Sequence, residues 1–483
     1  MKLIKSIFIL LLICCLGCSQ TKKEDFFQNK PNVLFIMVDD LGWNDVGYMG
    51  SKWFQTPNID KLATEGMTFM QAYAGASNCA PSRASFMTGT STPRHGIYTV
   101  SPSTRGNKKT RRLIPTKNTN YLEEDNQTLG DLFQKAGYVT GTFGKWHLGI
   151  DPLNQGFNKN IAGGKNGNPG RNGYFSPYNV PNIDNGPEGE YLPDRLTDEA
   201  IQFITENKDK SFFAYLPYYT VHTPLLSKQV IIDKYSAMPH ILSERQAIYG
   251  AMVETMDMNI GRLMKALKAL DLEKNTLVVF TSDNGGLTSI SPLAPLRAGK
   301  GSYYEGGIRV PLIMKLPGAI TEFTTNDVPV THLDFFPTFK EILKSKVESP
   351  RLDGESLLPL LQNGLAEERA LVWHFPVYLE AYNGLTDGAR DVLFRTRPGS
   401  IIRKGKWKLH QYFEKNEIEL YNLELDKGET NNIASSNPEI VNTLLNALKT
   451  WRIERNAPVP TEPNPDFDAQ FEANKISNVL SKK

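Results

Sequence analysis

The chain has 483 residues, of which 40% are hydrophobic and 22% are charged, with 38 glycines and 30 prolines. This ordinary globular composition excludes a disordered, collagen-like or coiled-coil chain. A formal net charge of +2 excludes an overall basic field for binding nucleic acid. A mean hydropathy of −0.36 excludes a protein with many membrane spans. At roughly 150 residues per domain, the length allows one large domain and a smaller one, or up to three domains.

The N-terminus carries a predicted export signal. Two lysines within Met1–Lys5 precede an almost entirely apolar run over residues 6–17, which is shorter than the roughly 20 residues of a membrane span. The run ends in a small residue before Cys18, a pattern that resembles the bacterial lipoprotein box. Residues 1–17 are therefore predicted to be a signal peptide and Cys18 to carry lipid, with plain secretion as the alternative. The polar tether over residues 18–30 favours display on the outer membrane, at the cell surface rather than facing the periplasm.

Cysteine usage leaves one thiol in the folded body. Cys14 and Cys15 leave with the signal peptide and Cys18 is predicted to be acylated, so Cys79 remains. No intramolecular disulfide can then form, although an exported protein meets an oxidising compartment. A lone cysteine there is usually buried and inert, but the residues around Cys79 favour a chemical role.

Apolar runs alternate with helical patterns along the chain. Strands are predicted at residues 33–38, 138–143, 212–216 and 277–280, and helices at residues 57–65, 126–136, 196–206 and 244–270. This alternation predicts βαβ units and a largely parallel sheet covered on both faces.

Polar side chains follow four of these strands directly: Asp39, Asp40, Lys145, His147, His222, Asp283 and Asn284. In open α/β sheets, ligands bind in the crevice outside the carboxyl ends of the strands. We therefore expect these side chains to converge on one site. Any single one of them could equally be a surface loop residue, but that is a poor explanation of the whole set.

Two segments have open interpretations. Residues 151–190 hold 8 Gly, 5 Pro and 9 Asn, which fits a disordered insertion or a loop that covers the site, and we favour the loop. Residues 105–112 read RGNKKTRR. Such a charge run is usually a solvated face, although beside an anion-handling site it could also hold an acidic polymer.

The pattern changes near Leu371. Short strands at residues 371–375, 400–403, 407–412 and 417–423, followed by a helix over residues 438–455, predict a small antiparallel sheet with one packed helix. The tail after Ala457 is predicted to be extended. We therefore divide the chain into a signal peptide (1–17), a tether (18–30), a catalytic domain (31–368) and a C-terminal α+β subdomain with its tail (369–483).

Cys79 begins the segment CAPSRASFMTG, which resembles the sulfatase signature Cys-x-Pro-Ser-Arg and the Thr-Gly that follows it. Other family-like stretches are NVLFIMVDDLG, TPNIDKLATEGM, GKWHLG, SDNGG, GKGSYYEGGIRVP and ELYNLELDKGET. From Pro31 to about Ala434 the chain thus resembles a type I sulfatase. The resemblance implies an alkaline-phosphatase-like α/β fold, with a large, mixed, mostly parallel sheet covered by helices and a smaller C-terminal antiparallel sheet.

The resemblance also implies how the chemistry proceeds. A separate maturation enzyme would oxidise Cys79 to formylglycine (3-oxoalanine). One hydroxyl of the aldehyde hydrate would attack sulfur, and the other would then collapse the covalent adduct and expel sulfate. Asp39, Asp40, Asp283 and Asn284 offer oxygen ligands that, with residue 79, suit Ca²⁺ or Mg²⁺.

The remaining site residues would act on sulfate and on the leaving group. Arg83 lies four residues after Cys79. If a helix begins near Cys79, Arg83 falls on the same helical face and would hold the nucleophile's oxygen. Lys145, His147 and Lys300 would clamp the sulfate oxygens. His222 with Lys300 would protonate the leaving group while His147 takes the proton of the collapsing adduct, or the two histidines exchange roles. For the other five histidines a structural role is expected first, with His374 at the pocket rim as an alternative.

The expected function is therefore that of an exported sulfatase acting on a sulfated carbohydrate. A polysaccharide or its oligosaccharides is expected, with algal polymers such as ulvan or carrageenan ahead of glycosaminoglycans. The alternatives are a phosphonate or phosphate monoester hydrolase of the same superfamily and an inactive surface glycan-binding protein. The expected partners are the sulfated substrate, a formylglycine-generating enzyme and a lipid anchor in the membrane, without nucleic acid.

Overall fold

A computed structural model describes residues 27, 30–100, 102, 104–346 and 351–482. Its strands are β1 Asn32–Val38, β2 Met67–Phe69, β3 Ala72–Tyr73, β4 Val139–Phe143, β5 Lys159–Ile161, β6 Phe212–Pro217, β7 Thr276–Ser282, β8 Arg309–Val310, β9 Leu312–Lys315, β10 Thr324–Asn326, β11 Val330–Thr331, β12 Ala370–Phe375, β13 Leu379–Glu380, β14 Phe394–Thr396, β15 Gly399–Lys404, β16 Trp407–Tyr412 and β17 Glu417–Asn422. Its α-helices are α1 Pro57–Thr64, α2 Cys79–Thr88, α3 Thr92–His95, α4 Leu129–Lys135, α5 Leu192–Glu206, α6 Gln229–Ser236, α7 Glu244–Ala269, α8 Glu305–Ile308, α9 Phe335–Ile342, α10 Leu358–Leu361, α11 Pro438–Glu454 and α12 Ala469–Leu480.

The predicted signal peptide and Cys18 lie outside these described residues. Among the residues that are described, no helix combines the length and apolar character needed to cross a bilayer.

An eight-stranded sheet forms the centre of the molecule, in the order β10-β2-β9-β7-β1-β6-β4-β5. Strands β7, β1, β6, β4 and β5 are parallel, whereas β9 runs antiparallel to both of its neighbours. The predicted α/β fold with a mixed, mostly parallel sheet is confirmed. Strand β1 pairs with β6 on one side and β7 on the other, so the three carboxyl ends lie side by side.

Every residue of β1 is buried because helices cover both faces of the sheet. Leu34 and Ile36 pack into one apolar core together with α5 and α7. Phe35 and Met37, which point the opposite way, pack into a second core with α2, α4 and α9. The two cores hold the carboxyl end of β1 in a fixed position.

The small antiparallel sheet is also as predicted. Its order is β12-β15-β16-β17, and α11 packs on it through Leu444 and Leu448 against Ile402 and Leu409. The division between a catalytic domain and a C-terminal subdomain at residues 368 and 369 stays a prediction.

The prediction of an extended tail after Ala457 is wrong. Helix α12 forms there, and the Asp468 side chain accepts a hydrogen bond from the Phe471 N–H at its start. The helix docks on the basic run at residues 105–112, whose charges pair with carboxylates of the tail: Lys108 with Asp466 at 3.1 Å, Lys109 with Asp468 at 3.5 Å, and Arg112 with Glu472. The sequence missed this helix because its apolar residues are few and its partners lie more than 350 residues away. The basic run therefore holds the chain's own C-terminus.

A buried cluster of charges connects the small antiparallel sheet to helix α8. Lys408 of β16 places its Nζ 2.9 Å from Glu305 Oε1 and 2.9 Å from Glu429 Oε1, and all three side chains are fully buried. Tyr73 of β3 donates its hydroxyl to Glu305 Oε2 at 2.7 Å. Burial alone would raise the pKa of Glu305, but Lys408 and then Arg309 outweigh it and lower the pKa to about 2.

We expect Lys408→Met to destabilise the protein by about 3–5 kcal/mol, because Glu305 and Glu429 then lose a buried partner. Urea unfolding at pH 7 measures this change. Lys415→Met, at an exposed position near the end of the same strand, is the control and should change the free energy of unfolding by less than about 0.5 kcal/mol. Equal effects of the two substitutions would contradict a structural role for the buried pair.

Candidate active site

The ends of two neighbouring strands bring four acidic and amide side chains together. Asp39 and Asp40 follow β1, and Asp283 and Asn284 follow β7. The Asp283 N–H donates to Val38 O at 3.0 Å, and the Asp40 N–H donates to Asp283 Oδ1 at 3.2 Å. All four side chains are buried. The predicted convergence at the carboxyl end of the sheet is therefore present in the structure.

Cys79 lies at the first position of α2 and faces this cluster. Its Sγ is 3.0 Å from Lys300 Nζ and 3.5 Å from Asp39 Oδ1. Burial raises the pKa of the thiol to about 12, although Lys145 and Lys300 oppose that change. The thiol is therefore protonated at neutral pH, and as encoded it is a poor nucleophile.

Arg83 lies one helical turn after Cys79 and is completely buried. Its Nε donates to Asp283 Oδ2 at 2.8 Å and its Nη1 donates to Lys145 O at 2.7 Å. Its Nη2 is 3.9 Å from Asp39 Oδ1 and has no hydrogen-bond partner among the described residues. The guanidinium thus spans two of the carboxylates and keeps one nitrogen directed into the site.

Two lysines pair with the carboxylates that follow β1. Lys145, two residues after β4, donates to Asp39 Oδ2 at 2.6 Å, and Lys300 donates to Asp40 Oδ2 at 2.8 Å. Burial raises the pKa of Asp39 to about 7, more than Lys145 lowers it. Burial has the same tendency at Asp40, but Lys300, His222 and Lys145 outweigh it and lower the pKa of Asp40. The site therefore keeps a fixed negative charge at Asp40.

The two predicted histidines border the cluster. His222 donates from Nδ1 to Thr223 O at 2.6 Å, and its Nε2 lies 3.7 Å from Asp40 Oδ2. Burial, and next the charge of Lys300, lower the pKa of His222 to about 3. His147 has a buried Nδ1 without a hydrogen-bond partner among the described residues, and burial lowers its pKa as well. Both rings are neutral at pH 7 in the free protein.

The Gly- and Asn-rich segment at residues 151–190 is an ordered loop that packs against these histidines. Tyr174 donates its hydroxyl to His222 O at 2.8 Å. A Cβ at Gly167 would come within 2.6 Å of the His147 ring, so only glycine allows this close approach. Of the two interpretations of this segment, the covering loop is correct and the disordered insertion is wrong.

The donor set fits a divalent cation. One ligand atom each from Asp39, Asp40, Cys79 and Asp283 lie within 4.8 Å of one another. Asn284 donates from Nδ2 to Asp40 Oδ1 at 2.8 Å, and its buried Oδ1 has no hydrogen-bond partner among the described residues. A hard cation would satisfy this acceptor, and the oxygen donors suit Ca²⁺ or Mg²⁺ rather than a soft metal.

Two further residues differ from the sequence-based expectations: His374 lies away from the site, and Arg395 lies beside it without having been predicted. His374 is buried, with its nitrogens at 2.8 Å from Ser400 Oγ and from Pro458 O, so its role is structural and the pocket-rim alternative is wrong. Arg395 of β14 was not predicted, yet it donates from Nη1 to Lys300 O at 3.1 Å. No motif marks Arg395, because it lies in a short strand 95 residues from Lys300.

Comparison with known proteins gives consistent similarities. A family model described as Sulfatase matches residues 31–345, and one described as N-sulphoglucosamine sulphohydrolase, C-terminal, matches residues 299–454. A Formosa agariphila protein named Sulfatase is 34% identical and the match covers 94% of each chain. The human N-acetylgalactosamine-6-sulfatase is 32% identical, over 71% of this chain and 68% of its own length. A solved structure of Ps i-CgsB in complex with k-i-k-neocarrahexaose is 29% identical, has a TM-score of 0.71, and the match covers 93% of this chain and 97% of that chain.

We expect the metal-free protein to bind one divalent cation per chain and Asp40→Asn to weaken that binding by about tenfold or more, because a charged ligand is lost. Calorimetric titration with Ca²⁺ and with Mg²⁺ after chelator treatment measures both affinities. Asp125→Asn removes an exposed carboxylate that is not among the candidate ligands and should leave the cation affinity unchanged. Cation binding that survives Asp40→Asn intact would contradict this ligand assignment.

Proposed function

The chain belongs to the sulfatase family and is a sulfuric ester hydrolase, and from this premise we propose that it removes sulfate from a polysaccharide or its oligosaccharides. Its fold is the alkaline-phosphatase-like fold of its sulfatase neighbours. Among sulfated carbohydrates we propose algal polymers, carrageenan or ulvan, ahead of glycosaminoglycans. The carrageenan-type oligosaccharide bound by Ps i-CgsB supports the first choice, and the name of the human relative keeps glycosaminoglycans as the second.

The observation that carries the proposal is the position of Cys79 between Lys300 and the carboxylate cluster. The segment CAPSRASFMTG, which begins at Cys79, supports conversion of Cys79 to formylglycine by a maturation enzyme. When hydrated, formylglycine supplies one hydroxyl to attack sulfur and a second to release sulfate. Arg83, one turn along α2, would hold the oxygen at position 79 through its unpartnered Nη2.

The cationic side chains would stabilise the sulfate. Lys300 Nζ already lies 3.0 Å from the position-79 Sγ, so a sulfate transferred there meets an ammonium group at once. Lys145 approaches from the Asp39 side, and His147 borders the same space. Fixed cations in a buried site are effective because they need no reorganisation as charge develops on the sulfate oxygens.

The histidines would handle the protons. His222 has its Nδ1 committed to Thr223 O, which leaves Nε2 facing the site. A bound sulfate ester brings negative charge beside this ring and favours its protonated form. We assign His222 with Lys300 to the leaving group and His147 to the collapse of the adduct.

Ca²⁺ is the proposed cation, held by Asp39, Asp40, Asp283 and Asn284, with Mg²⁺ as the alternative. When bound, it neutralises sulfate charge and lowers the pKa of the attacking hydroxyl. These oxygen donors come from two adjacent strands, so their spacing depends on the sheet rather than on flexible loops.

We further propose that the protein is exported as a lipoprotein anchored through Cys18 at the outer membrane, on the cell surface. The basic and apolar pattern of residues 1–17 supports this proposal. A surface location suits a polymer that is too large to enter the cell. Mass spectrometry of the membrane fraction would reveal acylated Cys18, whereas a soluble product cleaved nearby would contradict the anchor.

Co-expression with a formylglycine-generating enzyme, followed by ion chromatography of released sulfate and phosphate, tests the reaction. The panel contains carrageenan, ulvan and glycosaminoglycan polymers, their oligosaccharides, and phosphoesters. We expect sulfate from the algal oligosaccharides or polymers. Release of phosphate without sulfate would overturn the proposed reaction, and sulfate from glycosaminoglycans alone would overturn the substrate choice.

We expect Cys79→Ala to lower sulfate release by at least about 10³-fold, since the covalent route is lost. The wild-type chain produced without the maturation enzyme is the matched control and should be similarly inactive while it keeps the same melting temperature. Mass spectrometry of the peptide around position 79 measures the aldehyde fraction, which should track activity. Full activity of Cys79→Ala would contradict the proposed mechanism.

We expect His222→Ala to lower kcat on sugar sulfates by about 10²–10⁴-fold, because an alkoxide leaving group needs a proton. On 4-nitrophenyl sulfate the loss should be smaller, since 4-nitrophenolate leaves without full protonation. His240→Ala, at an exposed position, is the control. The same leaving-group pattern in His147→Ala instead of His222→Ala would mean that the histidines exchange roles.

A further inference from the structure

The hairpin of β13 and β14 brings the C-terminal part of the chain to the edge of the active site. Its connecting segment, residues 381–393, packs on the segment that precedes Lys300. Arg297 donates from Nε to Gly388 O at 3.0 Å, and Thr288 lies 3.5 Å from the carboxylate of Asp387. The hairpin therefore forms a fixed wall beside Lys300.

Arg395 is held rigidly within this wall. Its Nε donates to Glu380 O at 2.9 Å and its Nη1 donates to Lys300 O at 3.1 Å. Its guanidinium carbon lies 3.5 Å from the centroid of the Tyr382 ring. Arg395 is only 5% exposed, whereas Tyr382 is 60% exposed. The guanidinium is thus fixed from one side by carbonyl groups and covered by a ring that solvent reaches.

Arg395 has no direct counterion in the described structure: no carboxylate oxygen of the described residues lies within 4 Å of its guanidinium nitrogens. Arg397, two residues further on and equally buried, pairs with Asp391, Glu414 and Glu472. A buried guanidinium is normally compensated in this way. Asp387 is near Arg395, but it accepts hydrogen bonds from the Tyr382 and Asn383 N–H groups. Burial accordingly lowers the pKa of Arg395.

We infer that Arg395 and Tyr382 form a subsite for a second anionic group of the substrate, either a further sulfate ester or a uronate carboxylate. The inference rests on the proposed function. Arg395 binds the carbonyl of Lys300, the residue whose ammonium reaches position 79, so the two cations are separated by about one lysine side chain. A planar guanidinium fits sulfate and carboxylate groups in a bidentate manner. The exposed face of Tyr382 offers an apolar surface on which a sugar ring can pack.

The test measures binding in a Cys79→Ala background, which needs no maturation and consumes no ligand. Calorimetry compares carrageenan tetrasaccharides that carry one or two sulfates per disaccharide. A second arm compares ulvan oligosaccharides with intact uronates and with the carboxyl groups reduced to alcohols. The subsite predicts that the more anionic member of at least one pair binds about tenfold tighter or more. The pair that shows the preference identifies the anion as sulfate or carboxylate.

Arg395→Met should abolish that preference and Arg395→Lys should keep part of it, because the charge remains but the bidentate geometry is lost. If Arg395→Met does not fold, Arg395→Lys carries the test of the preference. Tyr382→Ala leaves both carbonyl contacts of Arg395 in place and tests the ring alone: it should weaken both members of a pair and keep the preference between them. Equal binding of the two members in both pairs of the wild-type comparison would overturn the subsite. So would a folded Arg395→Met variant that keeps the preference, or one that binds both members of a pair more weakly by the same factor.

A separate readout keeps this inference distinct from the proposed reaction. Matured protein with Cys79 intact is assayed on 4-nitrophenyl sulfate, which has no second anion. Turnover of this ester together with failure of every tetrasaccharide to bind would remove the subsite and the sugar assignment while leaving the sulfatase chemistry standing. Preferential binding without any turnover would retain the subsite and count against the proposed catalytic roles.

Discussion

The site depends on one constraint: equal numbers of carboxylates and cationic side chains are buried together at the carboxyl end of the sheet. Moving a charged group out of water costs several kcal/mol unless a partner compensates it. Here Asp39 pairs with Lys145, Asp40 with Lys300 and Asp283 with Arg83. Each pair joins a strand end to a different segment of the chain. The ion pairs therefore help to fix the segments that carry Lys145, Lys300 and Arg83 against the strand ends.

The same arrangement surrounds the Cys79 thiol with buried cations and carboxylates. The burial that makes the ion pairs strong also raises the pKa of the Cys79 thiol to about 12. Meanwhile Lys300 Nζ lies 3.0 Å from the Cys79 Sγ, and Arg83, one helical turn further on, has one nitrogen without a hydrogen-bond partner among the described residues. The proposed conversion of Cys79 to formylglycine would therefore place the new nucleophile beside cations that are already held in position.

Segments outside the large sheet border the site. The loop at residues 151–190 packs on the two histidines, and the β13–β14 hairpin brings Arg395 and Tyr382 beside Lys300. Lys408 of the four-stranded sheet pairs with the buried Glu305 of α8, five residues after Lys300. The proposed sulfate chemistry thus uses residues at strand ends, whereas the candidate determinants of sugar selectivity lie in connecting segments, which tolerate variation in sequence more readily.

The sequence by itself determined the sheet, the small C-terminal sheet and the gathering of Asp39, Asp40 and Asp283, because these follow from short-range patterns and from the rule that ligands sit at the carboxyl ends of parallel strands. It also placed Arg83 on the same helical face as Cys79, since i and i+4 neighbours depend only on helical geometry. Only the tertiary structure decided the docking of α12 on the basic run, the structural role of His374 and the position of Arg395. These depend on contacts between segments that are distant in the chain, and local patterns of hydrophobicity and charge carry no information about such distances.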